Sequence, residues 1–195
     1  YANNVDDCFG PWYTLLSAGS NWCALYSINY IRQFVSRHQD KLASFDPDSL
    51  AYSFNIGSYH FVQLHNYPGY DEPKINIKKS YEWLERDVKD AGSKGYHIIL
   101  NAHQDRHGED DTVLKRLAQI APIRALFVGH IHSMFGVIGV GFKNIPVIYT
   151  GSPMHNKFLM VKFLPQGMEL YTMSSKGGVP RKEETRYFEF KGNYF

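Results

Sequence analysis

Between residues 81 and 128 the chain alternates two kinds of segment, and that alternation limits the folds open to it. Tyr81, Leu84, Val88 and Ala91 form one apolar stripe at helical spacing, with Glu85 and Lys89 expected to pair on the other face. Ser80 stands where a helix cap is needed, and Gly92 and Gly95 close the segment. The apolar run 96–100 comes next, too short for a helix and bounded by glycine and polar residues, which suits a buried strand. Residues 111–120 repeat the helical pattern through Val113, Leu117 and Ile120, with acidic side chains at the start, where they complement the helix dipole. Residues 125–128 repeat the strand. Strands and helices in alternation predict an α/β architecture.

The flanks add to this frame. Leu25, Ile28, Ile31 and Val35 give residues 24–37 a helical face. Residues 50–65 alternate and are rich in Tyr, Phe and Val around Asn55-Ile56-Gly57-Ser58, which predicts a β-hairpin. Two prolines and a glycine make 66–76 an expected exposed loop, residues 1–19 another loop, and 135–174 further strands and hairpins. The last stretch, 176–195, reads as a polar, partly basic tail that regains aromatic character at its end.

The whole chain has 195 residues, 44% hydrophobic and 15% aromatic, enough to bury one sizeable core. Its 21 Lys and Arg against 19 Asp and Glu leave a formal charge of +2, so no nucleic-acid partner is evident. No stretch approaches the roughly 18 to 20 consecutive apolar residues that span a bilayer. Cys8 and Cys23 lie close together in a polar segment. A local disulfide between them is expected, with two buried thiols of a cytosolic protein as the alternative. The disulfide and the aromatic surplus lean towards an exported protein, secreted or periplasmic.

In open α/β sheets, ligands collect beyond the carboxyl ends of the strands. His103 and the pair His130 and His132 both fall there. Two histidines one residue apart can share a site if the backbone turns between them, and Gly129 relaxes the limits on such a turn. Imidazole suits Zn, Fe, Mn or Co, so three imidazoles from two strand ends are a candidate metal half-site, surface or hydrogen-bonded histidines being the other reading.

The run Leu126-Phe127-Val128-Gly129-His130-Ile131-His132 is similar to the closing Gly-His-x-His motif of the calcineurin-like metallophosphoesterase superfamily. Upstream, Ile98-Ile99-Leu100-Asn101-Ala102-His103 resembles that family's strand and solitary metal-binding histidine, and Tyr81-Glu82-Trp83-Leu84 resembles the helix before it. Downstream, Gly151-Ser152-Pro153 resembles the turn that often comes after the motif. The resemblance spans roughly residues 51–163. It implies an α/β fold, the C-terminal half of a metallophosphoesterase-type β-sandwich flanked by helices. On it, 1–175 is the C-terminal part of such a domain, and 176–195 is the tail.

The resemblance also implies a site of two metal ions (Mn, Fe or Zn) that hydrolyses phosphomonoesters or phosphodiesters. His103 and His130 would bind one ion and His132 the other. The family's remaining ligands, in Asp-x-His, Gly-Asp-x-x-Asp and Gly-Asn-His, and its acid histidine come from an N-terminal half. None of these motifs appears in this sequence. Tyr1-Ala2-Asn3-Asn4 resembles the residues next to Gly-Asn-His-Asp, on its C-terminal side, in some members. The chain is therefore expected to begin just after that motif, with the N-terminal half as its missing partner. Asp105, His107, His155 and Tyr67 are further candidates for touching substrate or orienting a ligand, ordinary loop residues being the other reading. A catalytically inactive binding module on the same scaffold, and a mononuclear zinc hydrolase using His103, His130 and His132, are the alternative functions.

Overall fold

The computed structural model describes residues 22–104, 110–140 and 145–190. Its elements come in the expected order: α1 (Trp22–Arg37), β1 (Ser44–Phe45), β2 (Tyr52–Ile56), β3 (Tyr59–Gln63), α2 (Tyr81–Ser93), β4 (His97–Asn101) and α3 (Asp110–Ile120). Then come β5 (Ile123–Val128), β6 (Phe135–Val140), β7 (Pro146–Thr150), β8 (Lys157–Leu164), β9 (Gly167–Ser174) and β10 (Arg181–Glu189).

Seven strands form one sheet in the order β1-β2-β3-β4-β5-β7-β6. Its four central strands, β3, β4, β5 and β7, run parallel, and the pairs at both edges are antiparallel. This is a mixed α/β fold with a mostly parallel central sheet flanked by helices. Ile98, Ile99 and Leu100 are all buried because both faces of β4 are covered. Ile98 and Leu100 join Leu84, Val88 and Ala91 of α2 and Leu114 and Leu117 of α3 in one core. Ile99 points the other way, into a second core with Met168 and Leu170 of β9. That core lies against the three-stranded antiparallel sheet β10-β9-β8. A third cluster gathers Ile28, Ile31 and Val35 of α1 with Leu50, Tyr70, Ile75 and Ile77. Among the described residues no helix is long and apolar enough to cross a membrane.

Four local expectations need correction. Residues 66–76 are not an exposed loop throughout: Asn66, Tyr70 and Ile75 are buried, and Tyr70 and Ile75 help to cover the apolar face of α1. Leu25, expected on that face, is exposed. Glu85 pairs with Arg116 across α2 and α3, where a second helix offers a partner beyond its own surface. The stretch 176–195, read as a polar tail, contains β10, which pairs with β9 from Arg181↔Ser174 to Glu189↔Gly167. Most of β10 is exposed, so its side chains give no alternation; its backbone supplies the pairing, and Phe188 and Phe190 fold onto the inter-sheet core. The expected Cys8–Cys23 pairing falls on Cys8 and the Cys23 side chain, outside the described residues.

Candidate metal centre at the carboxyl edge of the parallel strands

Strands β3, β4 and β5 lie side by side, with Gln63 level with Asn101 and Asn101 level with Phe127. They end at Gln63, Asn101 and Val128, and each delivers a histidine two positions later: His65, His103 and His130. The main chain continues to tie the three ends together. The Leu64 N–H donates to Asn101 O at 2.8 Å, and the N–H groups of His103 and Gln104 both donate to Asn66 O at 2.8 and 3.0 Å. The Gly129 N–H then donates to His103 O at 3.0 Å. The histidine loops are thus fixed by backbone hydrogen bonds.

His103 and His130 meet. The Nε2 of His103 lies 3.0 Å from Nδ1 of His130, with the rings nearly perpendicular and their centroids 5.0 Å apart. One nitrogen donates and the other accepts, so at least one ring is neutral on the contacting side. His130 reaches this position through a left-handed backbone, φ +62°, inside a tight turn closed by Ile131 N–H donating to Gly129 O at 2.7 Å. The freedom expected of Gly129 is exercised one residue later, at a side chain that bears a steric cost of about 1 kcal/mol for it. Non-glycine residues held this way concentrate where function requires their side chain.

His132 and Ile131 are exposed. Among the described residues no group of three or more His, Cys, Asp or Glu side chains is arranged to hold a metal ion. The structure brings together the pair His103 and His130, of which His130, like His132, is exposed. His155 sits exposed in the short helical turn Pro153–His155, just after the Gly151-Ser152 bend. Ser152 is buried and its hydroxyl accepts from the Met154 N–H at 3.2 Å, which makes it a turn residue. Tyr67 is half-buried, edge-on to Tyr70 at 5.6 Å, and packs with the α1 cluster. Asp105 and His107 lie outside the described residues. Among the described residues, one cleft of about 350 Å³ lies beside His60 and Asp87, and another of about 760 Å³ beside Phe34 and Tyr52.

Sequence reasoning assigned His65 no metal role. It is 3% exposed, stacked on Tyr70 at 5.3 Å with the rings only 5° from parallel. Neither of its ring nitrogens has a hydrogen-bond partner among the described residues. Burial, and then the charge of His103 nearby, pushes its pKa down to about 4. Each bare buried nitrogen costs about 1–3 kcal/mol. Asp110 also entered unannounced: fully buried at the start of α3, its carboxylate accepts from the Gly69 N–H at 2.7 Å and the Tyr81 hydroxyl at 3.0 Å. It anchors the loop behind His65. Neither falls in a motif; of the two, sequence reasoning placed only His65, at the end of the predicted 50–65 hairpin on what could be the rim of the site.

No family model matches this chain, and no curated protein sequence matches it. Among solved structures, it is similar to a single mutant of Vps29 from Entamoeba histolytica, at 11% identity and a TM-score of 0.37, over 71% of this chain and 61% of that one. It is also similar to a phosphatase from Mycoplasma pneumoniae, at 10% identity and a TM-score of 0.30, over 71% and 57% of the two chains. The chain thus spans about three-fifths of the length of these solved structures.

Proposed function

We propose that this chain carries the histidine side of a metal-dependent phosphate-ester hydrolase site, with His103 and His130 as metal ligands and His132 at its rim. The observation that carries the reading is the His103–His130 pair at 3.0 Å, built on adjacent parallel strand ends and held by a left-handed His130. Two nitrogens bound to one tetrahedral Zn-like ion at roughly 2.0–2.1 Å stand about 3.3 Å apart. The pair would need to open by only a few tenths of an ångström. The donor set fits one transition-metal ion. It does not fit two, because a pair of cations about 4 Å apart needs bridging carboxylates, and neutral imidazoles cannot supply that charge.

In this reading the carboxylates of a two-metal centre, and the acid histidine, belong to polypeptide outside these 195 residues, and the three-stranded sheet is the second layer of a metallophosphoesterase-type sandwich. A bound ion would supply a Lewis acid for the phosphate oxygens and a water acidic enough to attack phosphorus. The chain's own part is to hold neutral imidazole donors at a fixed separation on a rigid sheet edge. A second reading, a non-catalytic binding module on this scaffold, is favoured by the lack of a three-member ligand group among the described residues.

Metal content per chain and hydrolysis of p-nitrophenyl phosphate and its bis-ester test the proposal, each with and without an added N-terminal half and beside His130→Ala. Metal that disappears in His130→Ala, with hydrolysis appearing when the N-terminal half is present, is the expected result. Hydrolysis that stays absent with the ligand set complete would select the binding module.

A further inference from the structure

We infer that the outer edge of β8, with the aromatic strip of β2 beside it, is a docking surface for one further β-strand that carries apolar side chains at alternate positions. The strand comes from the polypeptide that holds the carboxylate side of the site, and only that choice of source rests on the reading above. The two strands that bound the three-stranded sheet are unlike. β10 begins Arg181-Lys182-Glu183-Glu184-Thr185-Arg186, a charged run of the kind that keeps an exposed edge from pairing further. β8, at the other edge, is eight residues long and reads Lys157-Phe158-Leu159-Met160-Val161-Lys162-Phe163-Leu164. Both its lysines are engaged by carboxylates of the same sheet, Lys157 by Glu183 and Lys162 by Glu169. Along its outer side β8 pairs with no strand among the described residues. A long apolar edge of this kind is a template for another strand.

The second observation is what lies beside that edge. Phe163, Met168 and Phe188 stand level across β8, β9 and β10. Phe188 lies by Ile123 and Pro146, at the starts of β5 and β7, whereas Phe163 packs on Tyr59 and Phe61 of β3, with ring centroids 4.9 and 5.2 Å away. One more strand in that direction, about 4.8 Å on, falls over β2. There the aromatic packing between the sheets runs on past β8: Phe61 stacks on Phe54 at 5.3 Å, Phe54 on Tyr52 at 6.5 Å, and Ile56 is 62% exposed. A groove of about 760 Å³ follows this strip and is lined on its far side by Phe34 and Leu42. The strip therefore continues the interface already formed between the two sheets. A helix or an acyl chain would cover the rings and leave the outward amides of β8 to water. A strand does both, bonding to β8 through its main chain and setting every second side chain on Phe54 and Ile56. The same geometry excludes a second copy: β8 paired antiparallel with its twin would carry the twin's β3, which lies beneath its own β8, into the space that β2 occupies.

The test compares the 195-residue chain with the same chain extended by the N-terminal half, both in EDTA so that no metal contributes. Amide hydrogen exchange is read by mass spectrometry. About half of the amides of 157–164 should exchange at least about 10-fold more slowly in the extended chain, while those of 181–186, at the opposite edge, stay unchanged. Ile56→Lys gives a second readout. It should leave the Tm of the 195-residue chain within about 1 °C, because the position is open to water, and lower that of the extended chain by at least about 4 °C, because there the lysine is buried under the added strand. Equal exchange of β8 in the two chains, or an equal change of Tm, would overturn the proposal. So would a 195-residue chain that is already a dimer with slow β8 amides, since the occupant would then be a second copy. Hydrolysis judges the metal reading separately: slow β8 amides in an extended chain that hydrolyses nothing once metal is restored would keep the docking surface and reject the phosphoesterase.

Discussion

His130 holds φ at +62° so that its Nδ1 can face His103. If that strain is kept for the site, relieving it should stabilise the fold at the expense of the chemistry. His130→Gly is expected to raise Tm by about 1–2 °C, because about 1 kcal/mol of relieved strain is offset by roughly half through the added flexibility of glycine, while metal binding is lost. A thermal melt that drops instead would show that the His103–His130 contact contributes more than the backbone costs. His65 makes a prediction about pH. Its pKa is about 4 in the folded chain and near 6.5 unfolded, so the unfolded chain takes up the proton first as the pH falls. Stability from this group is complete above about pH 6.5 and declines towards pH 4, by about 3 kcal/mol over that window. Urea midpoints at pH 7.5 and 4.5 check it, with His65→Phe as the reference in which this component is missing. His103 and His130, the pair proposed as metal ligands, stand out in the sequence because each lies just past an apolar run. His65 ends a hairpin strand, and only the parallel pairing of β3 with β4 brings it level with them.

Helix α2 is joined to the sheet by more than its apolar stripe. Asp87, buried at 8% exposure, accepts from the Ser53 hydroxyl at 2.9 Å and contacts His60 Nε2 at 2.9 Å, while His60 Nδ1 lies 2.7 Å from the Asn55 side-chain oxygen. This network pins the β2–β3 hairpin under the helix. Asp87→Ala leaves Ser53 and His60 short of a partner in the interior and should cost about 3 kcal/mol. Guanidinium unfolding should show the loss, and a change below about 0.5 kcal/mol would mean that water replaces the carboxylate. At this scale the sequence was most legible: α2, α3, β4 and β5 stand within a residue or two of where period and glycine put them. Such elements are fixed by local spacing. The loop at 66–76 was misread because Pro and Gly mark a turn without saying what covers it, and Tyr70 and Ile75 are covered by α1, far away in sequence. The Asp87 network was invisible for the same reason: it joins residues 27 and 34 positions apart.

Across the whole molecule, the two sheets are joined where local pattern warns least. Tyr59 of β3 donates its hydroxyl to backbone carbonyls of Leu164 and Gly167, and burial raises its pKa, consistent with a phenol kept neutral as a donor. His97 lies 3.1 Å from Pro165 O through Nε2 and accepts from Arg124 at 3.2 Å through Nδ1. Beside these contacts β10 completes the second layer. Phe188 and Phe190 pack on the inter-sheet core, with Phe190 5.3 Å from the His97 ring and edge-on to Tyr59 at 6.2 Å. A solvated tail would be dispensable, and this strand should not be. Ending the chain after Gly178 removes both rings and uncovers one edge of β9; two part-buried phenylalanines account for about 3 kcal/mol, or about 6–12 °C in Tm. The histidine edge belongs to the other sheet and is tied through β3, β4 and β5, so cobalt affinity in the truncated chain should stay within a few-fold of the full chain. An unchanged melting temperature would return 176–195 to the status of a tail. A melting temperature that falls together with the loss of cobalt binding would mean that the three-stranded sheet, though separate from the histidine edge, holds the parallel strands in register and is part of what makes the site.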